Sequence, residues 1–414
     1  MMNQCMKLGA ALLFTSALAA CSGRSSLTLS VQNGSAADRM EEMVEIPLKS
    51  LSDLKLKEGE HMVLSAADGK EVPYQITHDS LLIFPVTVKA GQTAELKLAK
   101  GEPQKVDTVS CGHYYVERDD DIAWENDKAA YRAYGPALQK RGEKGFGYDV
   151  FTKNVPYPVL RERYKRELNP EAWKEIHRLQ AEGKKAQADS LIHIISYHVD
   201  HGNGMDCYSV GPTLGGGTAA LLQDTTIVYP WCYKDYAILD NGPLRFTVKL
   251  VFHREKVGQD SVQETRLISL DKGSYLNRTR ITYDGLSKPT TVAAGIVLHP
   301  QNPDGYAYSV EDSYIAYADS TDNVNNHNGV MFMGVVEPTM KKAHVQWFGE
   351  EEKKERPGAL GHVLGETTYQ PGDTYIYYWG SGWSKADVPD MDAWKKILKD
   401  FSLRVKQPLK VTVK

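Results

Sequence analysis

Short alternating runs of apolar and polar residues, each closed by turn residues, make up the first part of the chain. Residues 27–31 and 93–98 alternate at the two-residue period of a strand, and a turn at 33–34 ends the first run. Similar runs recur roughly every ten residues up to position 103. This spacing is typical of small antiparallel sandwiches. We therefore predict an N-terminal β-sandwich over residues 27–103.

The rest of the chain is also dominated by strand-like runs, and these are longer and richer in aromatic residues. Residues 225–229, 246–252 and 375–379 are rich in Tyr, Thr, Val and Phe, which fit a pleated, half-buried surface. Their number and spacing favour large antiparallel sheets that face each other. We predict a mainly β chain in which residues 107–414 form a large antiparallel β-supersandwich.

Two segments depart from the strand pattern and predict inserted helices. Asn169 and Pro170 are a typical N-cap and first helical residue, and apolar residues then recur at helical spacing up to about position 194. Residues 392–401 repeat this pattern near the C-terminus. A helical pair inserted in a sheet protein either shapes a cleft or packs behind a sheet, and the pattern leaves both open.

The N-terminus has the layout of an export signal. Lys7 is followed by an apolar stretch over residues 8–20, which is too short to span a bilayer as a mature helix. The stretch ends at Cys21 in the pattern that a lipoprotein signal peptidase cleaves. We expect residues 1–21 to be a signal peptide and Cys21 to carry the lipid anchor. The absence of Asp at position 22 favours the outer membrane, with the protein facing the periplasm.

Composition removes several classes of function. The chain has 49 Lys and Arg against 53 Asp and Glu, for a formal net charge of −4, and it has no basic stripe, so nucleic acid is not an expected partner. Three cysteines remain after the export segment, which allows one disulfide at most. Phosphate-binding loops, nucleophile elbows and zinc-peptidase motifs are absent from the sequence. Nucleotide enzymes and common hydrolases are therefore disfavoured.

The densest group of reactive side chains lies between residues 197 and 208. It contains His198, His201 and Tyr208 within a glycine-rich segment. Histidine titrates near neutral pH, so we predict that these three side chains are catalytic acids and bases. No cofactor is predicted, but a divalent metal held by the two histidines and an Asp remains possible. The alternative is a polar loop held together by hydrogen bonds.

A second group predicts contacts to a substrate. It contains Glu125 and Asn126, followed by Arg132 and Tyr134. Arginine binds carboxylates with two parallel hydrogen bonds, and on a strand Arg132 and Tyr134 would point the same way. The alternative is an internal ion pair between Arg132 and either Glu125 or Asp127.

Five further residues complete the candidate substrate-binding set. Asp149 and Lys153 lie in one short segment, and Lys153 offers a second cation. Glu264 and His299 are additional polar candidates. Trp383 lies among glycines and is expected to expose a ring that stacks on sugar.

The same strings of residues resemble a known family. They are Glu125-Asn126-Asp127, Tyr131-Arg132-x-Tyr134-Gly135-Pro136, Gly147-Tyr148-Asp149-Val150, the His198 to Tyr208 segment, Asn241-Gly242-Pro243-Leu244-Arg245 and Gly295-Ile296-x-x-His299. Together they are similar to secreted bacterial proteins described as domain of unknown function 4861. The resemblance implies a galactose mutarotase-like β-supersandwich and a carbohydrate substrate, because members accompany polysaccharide-utilisation proteins. It implies no established active site.

These observations lead to one functional hypothesis with two alternatives. We expect a lyase or dehydratase that acts by β-elimination on uronate-bearing oligosaccharides, because that reaction needs a base, an acid and a cation for the carboxylate. A sugar mutarotase or epimerase is the first alternative. A glycan-binding lipoprotein without catalysis is the second. All three require that the distant groups meet at one hollow large enough for a sugar.

Overall fold

A computed structural model describes residues 25–320 and 324–414 of the chain. The expected signal peptide and Cys21 lie outside the described residues, so export and lipidation stay predictions. Among the described residues, no helix is long and apolar enough to cross a membrane.

The described residues form 24 strands and six α-helices. The first twelve strands are β1 (Ser26–Gln32), β2 (Arg39–Pro47), β3 (Met62–Ala66), β4 (Gln75–Ile76), β5 (Leu81–Val88), β6 (Thr93–Lys100), β7 (Cys111–Tyr115), β8 (Asp121–Glu125), β9 (Ala130–Ala133), β10 (Asp149–Phe151), β11 (Gly216–Gln223) and β12 (Thr226–Val228). The others are β13 (Tyr233–Asn241), β14 (Arg245–Val257), β15 (Asp260–Asp271), β16 (Leu276–Asp284), β17 (Thr290–Leu298), β18 (Tyr306–Ser309), β19 (Tyr314–Asp319), β20 (Met331–Val336), β21 (Lys342–Trp347), β22 (Gly361–Tyr369), β23 (Tyr375–Trp383) and β24 (Lys410–Val413). The helices are α1 (Pro136–Lys140), α2 (Leu160–Glu167), α3 (Pro170–Ala181), α4 (Lys185–Ile195), α5 (Glu350–Glu355) and α6 (Met391–Lys406).

The N-terminal part is a small sandwich of two sheets. One sheet has the strand order β24-β1-β6-β3 and the other has the order β2-β5-β4. Leu29, Leu64 and Phe84 belong to the one apolar core between them, as expected when alternate residues of both sheets point inward. The C-terminal strand β24 pairs antiparallel with β1. The N-terminal sandwich therefore includes residues 410–413 as well as residues within 27–103, and the predicted boundary at 103–107 does not include this last strand.

Two large antiparallel sheets form the body of the protein. The eight-stranded sheet has the order β13-β14-β15-β16-β23-β20-β19-β18, and the five-stranded sheet has the order β12-β11-β17-β22-β21. Strands β17 and β20 are buried almost throughout, because each lies inside its sheet and both contribute to one shared core. The fold class predicted from the sequence, a mainly β supersandwich with a small N-terminal sandwich and inserted helices, is confirmed.

A third sheet, with the order β10-β9-β8-β7, lies against the large body. Its contact is aromatic: the Trp124 ring stacks on Phe246 at 6.0 Å and meets Trp379 edge to face at 6.2 Å. Such buried rings contribute apolar area and a preferred geometry. This packing fixes strands β9 and β10, which carry several of the candidate residues.

The helices predicted from capping residues are present. The Asn169 side chain accepts hydrogen bonds from the first amides of α3, and Pro170 is its first residue. The C-terminal helix α6 begins at Met391, and Asp390 is its cap. Helices α3 and α4 pack on each other around Ile176 and Leu179. Local capping chemistry therefore set both helix starts.

Three cysteines lie within the described residues. Cys207 and Cys232 are buried, whereas Cys111 is half-buried. Burial raises the pKa of Cys111 and of Cys232 to about 11. Thiols of this kind behave as small apolar groups rather than as nucleophiles.

Glu337 follows β20 in the core and gives the fold a pH dependence. Burial raises the pKa of its carboxyl to about 7, and Thr339 donates a hydrogen bond of 2.7 Å to it. Because the folded pKa lies above the ordinary value of 4.5, stability is full below that value and falls as the pH rises towards 7. We expect Glu337→Gln to raise the free energy of unfolding by up to roughly 3 kcal/mol at about pH 8, with little change at about pH 4. Urea unfolding at both pH values measures this, with exposed Glu350→Gln as control; a less stable Gln variant at the higher pH would contradict it.

Candidate functional site

A buried arginine between two carboxylates is the centre of the candidate site. Arg132 on β9 and Asp149 on β10 are direct partners in the strand register, so their side chains point to the same face. The Arg132 Nε donates to Asp149 Oδ2 at 2.8 Å, and an Arg132 terminal nitrogen donates to the same oxygen. That terminal nitrogen also donates to Asp206 Oδ2 at 3.1 Å. Arg132 therefore binds carboxylates of the protein itself.

A glycine-rich loop carries Asp206 to this arginine. Gly204 has a φ of 90°, which favours glycine, and a Cβ at this position would collide with the Thr152 carbonyl. Next to it, the Thr152 amide donates to the Met205 carbonyl at 2.8 Å, and Phe151 forms an isolated bridge with Asp206. The loop is thus fixed against β10, with the Asp206 carboxylate directed at the guanidinium.

The cluster contains more acid than base. Asp121 lies 3.7 Å from Arg132 and is fully buried, and its Oδ2 has no hydrogen-bond partner among the described residues. Burial raises the pKa of Asp121 to about 6. Burial, and next the charge of Asp149, raise the pKa of Asp206 well above its ordinary value. Asp121 and Asp206 therefore hold a proton to higher pH than exposed aspartates do.

Tyr134 connects this cluster to an open cavity. Its hydroxyl donates to Asp149 Oδ2 at 3.1 Å, and its half-buried ring lines a cavity of about 400 Å³. That volume is within the range of small-molecule sites. The other lining residues come from α1, the end of α5 and three loops: Leu138, Gly142, Glu143, Lys144, Gly145, Gly211, Pro212, Glu355 and Pro357.

Tyr208 lies at the other side of the cluster. Its side chain is 6% exposed, and its hydroxyl has no hydrogen-bond partner among the described residues. Burial, and then the charge of Asp319, hold the pKa of Tyr208 well above its ordinary value; Asp149 contributes in the same direction. A buried hydroxyl without a partner is costly, and such groups are expected where a reacting molecule supplies the partner.

Next to Tyr208 is a histidine–aspartate pair. The His299 and Tyr208 rings meet edge to face with centroids 6.0 Å apart. His299 Nδ1 lies 2.7 Å from Asp319 Oδ2, and Tyr317 contacts the His299 backbone through its hydroxyl. An aspartate at Nδ1 holds that nitrogen protonated and leaves Nε2 to accept a proton. The His299–Asp319 pair has the arrangement that a histidine general base requires.

The two histidines of the glycine-rich segment have different surroundings. His198 is half exposed, with Nδ1 3.1 Å from the Asp206 carbonyl and 3.9 Å from its carboxylate. His201 Nε2 is 3.0 Å from the Ser196 carbonyl. Residues 197–200 form a turn. The structure brings His198 to the cluster and gives no contact of His201 with it.

Glu125, Asn126 and Lys153 form a separate buried group. Lys153 Nζ donates to Glu125 at 2.8 Å and also to the Asn126 carbonyl. The Glu125 carboxylate accepts from the amides of Val159 and Leu160 at the start of α2. The Asn126 side chain donates to two carbonyls, those of Asp271 at the end of β15 and of Ser274 in the loop after it. The charges of this group are engaged inside the protein, and they anchor α2.

Glu264 and Trp383 lie apart from the cluster. Glu264 pairs with Arg266 and lines a cavity of about 20 Å³, which is room for a single water. Trp383 was expected to expose its ring, and this is wrong: it is buried in β23, and its Nε1 donates to the Asn328 carbonyl at 2.7 Å. The glycines before it allow close strand packing rather than a loop, since a Cβ at Gly382 would collide with Val388.

Several residues of the site gave little signal in the sequence. Asp121 is the last of three consecutive aspartates and begins β8, whereas Asp319 ends β19; neither lies in a recognisable motif. Asp206 was visible only as one acid of a glycine-rich segment. Among the described residues, no group of three or more His, Cys, Asp or Glu side chains is arranged to hold a metal ion.

Comparisons with known proteins identify the family but not an activity. A relative from Formosa agariphila, named "Uncharacterized protein P7", is 25% identical over 406 residues, which cover 93% of each chain. Two solved structures from Enterococcus faecalis, an alpha-mannosidase and a protein in the Glycosyl Hydrolase Family 38, match with 10% and 9% identity and a TM-score of 0.43 each. They cover 95% of this chain, which in turn spans about half the length of theirs. Residues 31–411 match the family described as "Domain of unknown function (DUF4861)", and the chain belongs to that family.

Proposed function

We propose that this protein is a carbohydrate-active enzyme that catalyses proton transfer at a sugar ring. The observation that carries the proposal is the Tyr208 hydroxyl, which is buried and has no partner among the described residues, beside the His299–Asp319 pair. A base and an acid are the minimum that such chemistry needs, and Tyr134, which binds Asp149 of the same cluster, lines the open cavity. Membership in the family supports a carbohydrate substrate, because the resemblance implies one.

The reaction that we propose is β-elimination from a uronate-bearing oligosaccharide. His299 Nε2 removes the proton next to the uronate carboxylate, the bond from the β-carbon to the leaving oxygen breaks, and a carbon–carbon double bond forms. Tyr208 donates its proton to the leaving oxygen. The pair suits this task because Asp319 stabilises the protonated His299 and the raised pKa of Tyr208 keeps its hydroxyl protonated before the reaction.

The cation of this reaction differs from the sequence-based expectation. Arg132 and Lys153 are occupied by carboxylates of the protein. Lys144 is exposed at the cavity that Tyr134 lines. In our proposal Lys144 therefore neutralises the substrate carboxylate, and Arg132 positions Asp149 and Asp206.

A sugar mutarotase or epimerase is the second candidate. The engagement of Arg132 by Asp149 and Asp206 favours it, because moving a proton at an anomeric centre needs an acid and a base but no cation. Both candidates include anchorage through Cys21 at the outer membrane, facing the periplasm. Incorporation of labelled palmitate into the wild type but not into Cys21→Ala tests the anchor.

Incubation with a panel of oligosaccharides separates the candidates. Elimination gives an unsaturated uronate that absorbs ultraviolet light, whereas mutarotation gives anomeric exchange by NMR without new absorbance. Retention on a glycan column without turnover would mean binding alone. Absence of both products from every uronate and neutral sugar tested would reject the proposal.

The protein contains a matched pair of histidines for the decisive variant. His78 Nδ1 lies 2.8 Å from Asp240, much as His299 lies 2.7 Å from Asp319, but His78 belongs to the turn between β4 and β5 of the N-terminal sandwich. We expect His299→Gln to lower kcat at least a hundredfold, as for loss of a general base, while His78→Gln keeps the wild-type kcat. Equal losses in the two variants would show that His299 acts only through folding.

A further inference from the structure

Three aromatic side chains form a row at one edge of the supersandwich. Tyr306 and Tyr308 lie on β18, with ring centroids 6.3 Å apart and nearly parallel planes. Trp347, the last residue of β21, has its ring 6.4 Å from Tyr306. Tyr308 is 45% exposed and Trp347 is 49% exposed. We call these three residues the edge-aromatic row.

The row lies where the two large sheets end side by side. Strand β18 is the last strand of the eight-stranded sheet, and β21 is the last strand of the five-stranded sheet. Tyr308 pairs in register with buried Ile315 and Tyr306 pairs with buried Tyr317. Directly paired residues point to the same face. The row is therefore the outward continuation of the inner face of the sheet.

The inner face connects the row to the candidate site. Tyr317, the register partner of Tyr306, accepts a hydrogen bond from the His299 amide at 3.0 Å. Two positions further along the same strand, Asp319 binds the His299 ring. Tyr306 is therefore linked to the proposed base His299 through a single residue, Tyr317 of the neighbouring strand.

The size of the row fits a small ligand better than a protein partner. A large aromatic side chain buries roughly 150–250 Å² when fully covered, and each of these rings is less than half exposed. The three together offer roughly 200–350 Å², against about 800 Å² per partner in a stable protein interface. The flat faces of pyranose rings carry C–H groups that pack on aromatic rings, and Tyr hydroxyls can bind their edges.

We propose that the edge-aromatic row is a second carbohydrate subsite, which holds a distal sugar of the oligosaccharide whose reacting sugar lies at His299 and Tyr208. This inference rests on the proposed function for the identity of the ligand. It adds that the substrate is a chain of several sugars, bound across the edge of the sheets.

Binding measured by calorimetry against a size series of uronate-bearing oligosaccharides tests the subsite without requiring turnover. In the wild type, Kd should fall from disaccharide to octasaccharide. In Tyr308→Ala/Trp347→Ala the octasaccharide should bind roughly tenfold to a hundredfold more weakly, because two stacking contacts are lost. Trp347→Phe keeps a ring and should retain most of the affinity, which separates stacking from a folding defect.

Trp231 provides the matched control. It is 42% exposed and lies outside the row, beside the cavity that Glu264 lines. Trp231→Ala should keep the wild-type ratio of disaccharide Kd to octasaccharide Kd. Three results would each overturn the subsite. The first is an unchanged ratio of disaccharide to octasaccharide Kd in the double variant, and the second is no binding of any oligosaccharide. The third is a dimer of the wild type in light scattering that becomes a monomer in the double variant. Length-dependent binding without turnover would instead reject the proposed enzyme and leave the subsite standing.

Discussion

Tyr208→Phe should lower kcat at least a hundredfold and leave the thermal midpoint the same or higher. The substitution removes one oxygen whose hydrogen-bonding capacity is unused among the described residues. Because a buried hydroxyl without a partner costs free energy, its loss should not destabilise the fold. Loss of a general acid, by contrast, typically costs two to four orders of magnitude in rate. We therefore expect kcat to fall while the thermal midpoint stays the same or rises.

Tyr375 provides the matched control for Tyr208→Phe. It is 5% exposed and its hydroxyl also has no hydrogen-bond partner among the described residues, but it lies near Glu337, away from His299. We expect Tyr375→Phe to match Tyr208→Phe in thermal midpoint and to keep the wild-type kcat. Full activity in Tyr208→Phe would remove Tyr208 from the reaction, and equal losses in both would mean that activity reports only core packing.

Much of the fold could be predicted because it depends on local patterns. Alternation over 27–31 and 93–98 corresponds to β1 and β6, and the Asn169-Pro170 pair marks the start of α3. The return of β24 to β1 could not be predicted in this way. It depends on a pairing between the two ends of the chain, and no local pattern specifies such a partner.

The candidate site shows the same division between local and distant information. Arg132 and Tyr134 were expected on one face of a strand, and both contact Asp149. The sequence could not show that Arg132 is occupied by carboxylates, because this depends on the register of β9 with β10 and on the loop that carries Asp206. A cation that looked available for a substrate is therefore used inside the protein.

Trp383 illustrates how composition alone misleads. Glycines beside an aromatic residue are common in loops, and on that basis an exposed ring was expected. In β23 the same glycines allow adjacent segments of the protein to approach closely, and Trp383 is buried in the core. Tyr306 and Tyr308, which carried no sequence signal, are more accessible to a ligand because β18 ends its sheet.

Arg132→Met should have the largest effect on stability among the substitutions considered. Met fills a similar volume but leaves Asp121, Asp149 and Asp206 without their shared cation. Removing one partner of a buried ion pair typically costs about 3–5 kcal/mol, because the remaining charge is left uncompensated. We expect a loss of this size in the free energy of unfolding from urea titration at about pH 8.

The pH dependence identifies the cause. The pKa values of Asp121 and Asp206 are already raised in the wild type, mainly by burial, and loss of the guanidinium raises them further. At about pH 5 these carboxyls are protonated in the folded variant, so fewer buried charges remain and the loss should shrink.

Arg132→Met/Asp149→Asn should recover part of the stability at about pH 8 for the same reason. Arg178, which is half exposed and pairs with Glu175 at 2.7 Å, is the control: Arg178→Met should change the free energy of unfolding little at either pH. A deficit in Arg132→Met that is equally small, or that does not change with pH, would show that the three carboxylates are not held by this arginine.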